Sequence, residues 1–240
     1  MNSGFKSVAL GFTKVLALFF SVTSLLAGLF EFQFSLFFGP MFDVLAYLAL
    51  MGLGFVFSIL FLVTNGFSKT ITFIPILIWV LGIVLSFMGL VGDLSHRLHY
   101  WNNKSNLEAI DRLSQKAGIK EMSDFLRYSK RLNEAYVGNG ENYRTKKDVE
   151  KAFGDYIREQ KLDLTQVVEL RNRMEKSNII SLDREEGLLI LTVDGFVDNE
   201  YGYVKTFGKK LNVGEPIPPY GFGIVRLIPL DNGWYFYFST

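Results

Sequence analysis

Three long apolar runs dominate the first part of the chain. They cover residues 15–34, 42–63 and 71–92, and their charged residues lie at or near the ends. About 20 apolar residues in a helix cross the hydrocarbon core of a bilayer, and backbone polar groups in lipid must be paired within the segment. The pattern therefore predicts a three-helix transmembrane anchor over residues 1–92. A cleaved signal peptide, with a loose cleavage site at Ala27-Gly28, is the alternative for the first run.

The next segment, residues 93–177, has apolar positions at helical spacing and predicts a juxtamembrane and helical region of about four helices. Ser105 and Glu108 have the spacing of a capping box, which predicts the start of the first helix. The second helix is expected over residues 122–136. The last two are expected to begin near Thr145 and Thr165.

The pattern changes again in residues 178–240, where apolar and polar positions alternate. Alternation with period two predicts β-strands, here about five of them in a small antiparallel module or half-barrel. Asn232-Gly233 is typical of a tight hairpin turn, and the proline-rich residues 215–221 predict a stiff connection between two strands. The predicted fold class is a membrane protein with three transmembrane α-helices followed by a soluble α+β domain.

Charge is distributed very unevenly along the chain. Of 25 basic and 24 acidic residues, only three basic and two acidic ones precede Asp93, so the remainder carries 22 of each sign. This balance excludes a nucleic-acid-binding protein of the usual kind, which would carry a basic stripe. The absence of cysteine excludes disulfides, thiolate metal sites and cysteine nucleophiles.

The few charges of the anchor predict its orientation. The connection over residues 31–43 has no basic residue, whereas Lys6, Lys14 and Lys69 all fall on the opposite side of the predicted membrane. Basic residues accumulate on the cytoplasmic side. We therefore expect a bacterial-type inner (plasma) membrane protein with a cytoplasmic N-terminus and an extracytoplasmic C-terminal domain.

Small residues recur at helical spacing in all three apolar runs. Such faces let membrane helices approach closely, either to dock another membrane protein or to pack on each other within one chain. We expect mostly internal packing. The candidate helix-packing residues are Ala17, Ser21, Ser24, Gly28, Gly54, Ser58, Gly82, Ser86 and Gly89.

Residues able to carry catalysis are sparse. The two histidines, His96 and His99, could bind a metal together with Asp93, but a structural or interfacial role is expected because no defined further ligand accompanies them. No cofactor and no metal site are predicted. Acids cluster along the early strands and are expected to lie in turns and loops; they are Asp183, Glu185, Glu186, Asp194, Asp198 and Glu200.

Tyrosines supply the remaining candidate surface. Tyr201, Tyr203, Tyr235 and Tyr237 alternate along two strands. Tyrosine combines a broad apolar ring with a polar tip, so these side chains could bind a ligand or partner. They could equally fill a small core.

These observations favour a non-catalytic integral membrane protein whose α+β domain binds a protein partner or envelope ligand, as an accessory subunit, sensor or immunity-type protein does. The expected partners are the lipid bilayer and another membrane or envelope protein, or further copies of the chain. One alternative is a homo-oligomeric channel or membrane-perturbing effector gated by the C-terminal domain. Another is a carboxylate-based enzyme with activity at Asp194, Asp198 and Glu200.

Overall fold

The computed structural model describes residues 3–38, 42–87, 90–123, 146–159, 161–185, 187–196 and 199–240. The chain divides into two compact units, Met1–His99 and Tyr100–Thr240. Within the described residues there are seven α-helices, one short 3-10 helix and seven strands.

The first unit consists of helices joined by short connections such as the loop over residues 66–69. Two of its segments, Val8–Leu29 and Phe42–Asn65, are long and apolar enough to cross a membrane by length and composition. The unit contains α1 (Ser3–Leu29), α2 (Glu31–Phe38), α3 (Phe42–Asn65), a 3-10 helix (Thr70–Phe73), α4 (Ile74–Phe87) and the start of α5 (Leu90–Ala117).

The third predicted span is not confirmed as a single membrane-length helix. Its apolar run is divided between the 3-10 helix, α4 and the first residues of α5. The continuous apolar helical part, Thr70–Ser86, is shorter than the other two candidate segments. α4 begins at Ile74, so Pro75 lies in its first turn, where a proline is accommodated.

The second unit combines helices with an antiparallel sheet, as the α+β prediction requires. Besides the rest of α5 it contains α6 (Lys146–Glu159) and α7 (Leu164–Lys176). Asp163 caps α7, because its side chain accepts a hydrogen bond from the Thr165 backbone N–H at 2.8 Å.

The sheet has seven strands and curls into a half-barrel. Every pair of neighbouring strands is antiparallel, in the order β1-β2-β3-β4-β7-β6-β5. The strands are β1 (Glu121–Ser123), β2 (Ser181–Glu185), β3 (Leu188–Phe196), β4 (Asn199–Thr206), β5 (Pro216–Ile217), β6 (Phe222–Pro229) and β7 (Trp234–Ser239).

Two sequence predictions about the helical region are wrong. Ser105 does not cap a helix, because α5 begins at Leu90 and continues past it to Ala117. The capping-box spacing is a local signal, and it has no effect where the preceding residues already donate and accept helical hydrogen bonds. Met122, expected in the second helix, lies in β1. The rest of that predicted helix falls outside the described residues.

The strand predictions hold more closely. The final strand, β7, follows the predicted hairpin turn directly, and that turn has the expected left-handed residues, with φ of 53° at Asn232 and 79° at Gly233. The sheet has seven strands and not the expected five. The two additional strands are β1 and β5, which are short and lie at the two edges of the sheet.

The two faces of the sheet are covered differently. On the face called here the core face, the described side chains form a compact apolar cluster of Leu188, Ile190, Val204, Ile217, Ile224 and Tyr237. The opposite face, called here the helix face, carries Tyr203, Trp234 and Phe236. It packs against α5, whose Tyr100 ring lies 6.2 Å from that of Tyr203 and 6.5 Å from that of Trp234.

Candidate functional site

The four candidate tyrosines do not form one surface. Strand pairing places Tyr201 and Tyr203 on the helix face, and Tyr235 and Tyr237 on the core face. Tyr203 and Tyr237 are fully buried. A ligand could therefore reach only the half-buried Tyr201 and Tyr235, which point to opposite sides of the sheet.

The buried tyrosines have specific packing and hydrogen-bonding roles. The Tyr203 ring meets Phe236 edge to face at 5.1 Å, a favourable aromatic geometry. The Tyr237 hydroxyl donates to Glu200 Oε1 at 3.1 Å and lies 3.3 Å from the Thr192 hydroxyl. Tyr237 therefore connects three strands through one phenol.

Two carboxyl groups, called here the carboxyl pair, lie on the core face. They belong to Glu200 on β4 and Asp183 on β2, and the register through Ile190 and Val204 puts both on the same side of the sheet. Glu200 is buried, with 6% of its surface exposed, and Asp183 is half-buried. Among the described residues, neither carboxylate forms an ion pair.

Burial raises the pKa of both members of the carboxyl pair. The pKa of Glu200 rises to about 7, chiefly through burial and further through the charge of Asp183, while the Tyr237 hydrogen bond acts in the opposite direction. The pKa of Asp183 rises to about 6 through burial and through the negative charges of Glu121 and Glu185. A buried carboxyl group with no cation nearby favours its neutral form.

Gly202 makes this arrangement sterically possible. It lies between Thr192 and Tyr237 in one row across β3, β4 and β7. A Cβ on Gly202 would lie 2.1 Å from the Leu191 carbonyl oxygen and 2.9 Å from the Thr192 Cα. The absence of a side chain therefore permits the close approach of β3 and β4 at this point.

A second polar cluster, called here the clamp, joins α5 to the helix face. Lys205 Nζ lies 2.8 Å from Glu108 Oε2 and 2.9 Å from Asp111 Oδ2, and Arg184 Nη2 lies 2.5 Å from Asp111 Oδ1. The Trp234 indole N–H donates to Glu108 Oε1 at 2.9 Å. Two cations face two carboxylates, so the cluster is electrically balanced and its role is structural.

The clamp changes the acidity of its central carboxyl group. Burial alone would raise the pKa of Asp111, but hydrogen bonds and charges from Arg184 and Lys205 outweigh it and hold the pKa below its ordinary value. This is the opposite of the shift in the carboxyl pair, because Asp111 has cations within hydrogen-bonding distance.

The remaining predicted acids are scattered. Asp194 is buried, and its Oδ1 accepts a hydrogen bond from the Gly195 backbone N–H at 2.9 Å. Glu185 is exposed at the end of β2. Glu186 and Asp198 lie outside the described residues. In the part of the chain that the structure describes, no group of three or more His, Asp or Glu side chains could hold a metal ion.

The histidines pack within the first unit. His96 and His99 are both buried, and their ring centroids lie 4.7 Å and 4.6 Å from that of Phe32. His96 Nδ1 lies 2.5 Å from the Gly92 carbonyl oxygen. Nearby, Ser95 hydrogen-bonds both Gln33 Oε1 and the Phe32 backbone, which fixes α2 against α5.

The small residues lie where α1 meets α3 and α4 within one chain. Ser21 and Ser58 are buried with their hydroxyl oxygens 3.0 Å apart, and Ser24 Oγ donates to the backbone carbonyls of Phe20 and Leu50. Ala17 is also fully buried. These contacts use the residues inside the unit and leave large apolar side chains on its outside.

The glycines and Ser86 complete this packing. A Cβ on Gly28 would lie 2.7 Å from Ser86 Oγ, one on Gly54 would lie 2.9 Å from Trp79, and one on Gly82 would lie 3.3 Å from the Leu25 Cα. The Ser86 hydroxyl also lies 2.7 Å from that of Tyr47. Gly89, the last of the candidate residues, lies outside the described residues.

The sequence prediction missed one exposed feature and the grouping of two acids. Val213 just before β5, Tyr220 in the predicted stiff connection and Val225 on β6 are all exposed. Glu200 and Asp183 were recognised as acids but not as a pair on one face. Glu200 and Gly202 lie two and one strand periods before the apolar Val204, so all three share one face of β4. That spacing could have indicated a carboxyl group on the buried face.

Comparison with known proteins adds no functional information. No family profile, no curated protein and no solved structure matches this chain.

Proposed function

We propose that the chain is a non-catalytic integral membrane protein whose α+β domain binds a protein partner or envelope ligand. The supporting observation for the anchor is the exposure of its apolar helices. Only 17% of each of the two membrane-length windows is buried within the chain. The core helix of a water-soluble protein would be mostly buried, so these side chains need a lipid environment to be stable.

The proposed topology requires a third crossing by the Thr70–Ser86 segment. At 1.5 Å per residue this segment is roughly 25 Å long, somewhat less than the hydrocarbon thickness. A short span is accommodated by local thinning of the bilayer. With Lys6, Lys14 and Lys69 on the cytoplasmic side, three crossings place the α+β domain outside the inner membrane.

The proposed binding surface is the β5–β6 hairpin together with the residues just before β5. Val213, Tyr220 and Val225 are 62%, 59% and 54% exposed. The Gly214 N–H donates to the Ile224 carbonyl at 2.7 Å, which joins the segment before β5 to β6, and the Tyr220 ring lies 5.6 Å from that of Phe222. Exposed apolar side chains grouped on one element are typical of protein-interaction sites.

The alternatives have weaker support. The residues that could line a pore are Ser21, Thr23, Ser24 and Ser86. Ser21 and Ser24 are buried against helices of the same chain, whereas Thr23 is half-buried and Ser86 is exposed. Of the acids considered for catalysis, Asp194 hydrogen-bonds its neighbouring backbone and Glu200 is buried beneath Tyr237. Neither arrangement leaves a reactive group open to solvent.

The test is site-specific photocrosslinking in native membranes. A photoreactive phenylalanine analogue replaces Tyr220, and the matched control carries it at Glu169, which is exposed on α7. We expect a defined adduct larger than the chain at position 220 and none at position 169. Val225→Asp should reduce that adduct several-fold without changing the thermal stability of the domain, because Val225 is exposed. Recovery of the chain alone, without an adduct at position 220, would contradict the proposal.

A further inference from the structure

The carboxyl pair lies in a setting that disfavours negative charge. The Glu200 side chain is buried in β4, and its carboxylate accepts a hydrogen bond from the neutral Tyr237 hydroxyl on β7. Asp183 faces it from the same side of the sheet on β2. One neutral hydrogen bond does not offset the loss of water around an ionised carboxylate.

The charged and titratable groups around the pair add to this effect. Glu121 on β1 is paired with Asp183 across the strands, and Glu185 follows on β2. Tyr220, before β6, is close enough to Asp183, Glu200 and Glu121 for their charges to raise the pKa of its hydroxyl. On β3, Asp194 faces the Gly195 N–H. The Ser181 hydroxyl also acts on the pair, because its hydrogen bond to Asp183 lowers the pKa of that carboxyl group against the larger effect of burial. The other described groups that act on the pair are acids or phenols.

The cations of the described strands, Arg184, Lys205 and Arg226, lie on the other side of the sheet. Arg184 and Lys205 belong to the helix face, where they pair with Asp111 and Glu108. Successive side chains of a strand point to opposite faces, so these cations are separated from the carboxyl pair by the sheet itself.

We propose that Glu200 is a proton-dependent latch on the core face of the sheet: buried and hydrogen-bonded by Tyr237, it stabilises the contact of β4 with β7 while it is protonated and weakens that contact when it ionises. The nearby charge of Asp183 adds to the cost of ionising Glu200. The proposal concerns the folding of the second unit and does not depend on a partner or on the proposed function. Ionisation would leave a charged carboxylate buried beneath Tyr237, and the hydrogen bond from the Tyr237 hydroxyl would offset only part of that cost.

The direction of the pH effect follows from linkage. The folded state retains protons that the unfolded chain releases, since the pKa of Glu200 is about 7 in the fold against 4.5 ordinarily. The stability of the second unit should therefore decrease as the pH rises from the ordinary carboxyl range and level off above about pH 7. Asp183, with a pKa of about 6, should contribute in the lower part of this window.

The experiment measures unfolding of the full chain in detergent between about pH 5 and about pH 8.5. The ¹⁹F signal of 5-fluorotryptophan at Trp234, a buried residue of β7, reports on the second unit. We expect the unfolding midpoint to fall by several degrees as the pH rises. Glu200→Gln should remove most of that fall, and Asp155→Asn, which changes an exposed acid on α6, should leave it intact.

Asp183→Asn gives a second, independent outcome. It removes a charge that raises the pKa of Glu200, so the remaining pH-dependent step should move to lower pH. In the infrared spectrum of the unmodified chain, the C=O stretch of a protonated carboxyl group should disappear over the same pH window. The latch is overturned if both variants keep the original pH dependence or if no carboxyl band changes. The infrared measurement decides the matter even where Glu200→Gln does not fold.

Discussion

At the scale of single residues, one glycine and one phenol determine how the core face is built. Tyr237 lies across Gly202 and contacts both Thr192 and Glu200. The contact requires that Gly202 has no side chain, because the Leu191 carbonyl would be only 2.1 Å from a Cβ there. The fit is between backbone atoms, so rotation of a side chain cannot relieve the clash.

Gly202→Ala should therefore strongly destabilise the second unit. We expect a loss of about 2–4 kcal/mol in the free energy of unfolding, since overpacking against rigid backbone is costly. Gly223→Ala is the matched control on β6, where a Cβ would meet only the Thr240 carbonyl at 3.7 Å. Urea unfolding followed by Trp234 fluorescence measures both. Equal stabilities for the two variants would contradict this prediction, because they would mean that β3 and β4 can move apart at Gly202 at little cost in free energy.

At the scale of elements, the packing of α5 against the sheet depends on the clamp. Breaking a buried ion pair by removing one partner leaves the other charge uncompensated. Asp111 is the partner shared by Arg184 and Lys205, and 10% of its side chain is exposed. Its removal should therefore cost more than the loss of any surface pair in the chain.

Asp111→Asn is expected to lower the free energy of unfolding by about 2–4 kcal/mol at neutral pH. Because the fold holds the Asp111 pKa below its ordinary value, this contribution is present above the ordinary carboxyl range and is lost in acid. The surface variant Asp155→Asn, which breaks the exposed pair with Arg158, should cost less than about 1 kcal/mol. Denaturant unfolding at two pH values measures the difference, and a neutral Asp111→Asn would contradict a structural role for the clamp.

The contact between α1, α3 and α4 offers a second test at this scale. Gly54 is buried on α3, whereas Gly52 is exposed two residues earlier and has no atom within 4 Å of its Cβ position. We expect Gly54→Leu to lower the thermal stability of the first unit in detergent by several degrees and Gly52→Leu to leave it unchanged. Equal tolerance of leucine at both positions would mean that α3 does not pack as observed.

The sequence predicted elements well where the signal was repeated and poorly where it was short. The alternation of Trp234, Phe236 and Phe238 and the Asn232-Gly233 turn specified β7 and its hairpin. The two-residue β5 and three-residue β1 are too short for any period to show, and both form through pairing with distant strands. The local capping signal at Ser105 gave the wrong helix start because α5 begins well before it.

The candidate site was less predictable than the fold for a related reason. A tyrosine alternates along a strand in the same way whether its ring faces a ligand or a protein core. The buried positions of Tyr203 and Tyr237 follow from the packing of α5 on one face and the curling of the sheet on the other, which the sequence pattern does not contain. The carboxyl pair depends on the register between β2, β3 and β4, which a single strand pattern does not contain.

At the scale of the whole molecule, the chain separates an apolar helical unit from a charged α+β unit. The first unit exposes large apolar side chains along α1 and α3, and it packs its small and polar residues inward. Such an arrangement is stable in lipid and unstable in water. The proposed membrane anchorage therefore rests on the outer surface of these helices as much as on their length.

The most direct measurement is cysteine labelling in intact cells, because the natural chain has no cysteine to interfere. Single cysteines replace Lys209, exposed in the second unit, and Lys69, exposed in the loop before α4. With a membrane-impermeant maleimide, we predict labelling at position 209 in intact cells and labelling at position 69 only after the membrane is permeabilised. Protection of position 209 until permeabilisation would contradict an extracytoplasmic domain, and release of both variants into the soluble fraction would contradict the anchor itself.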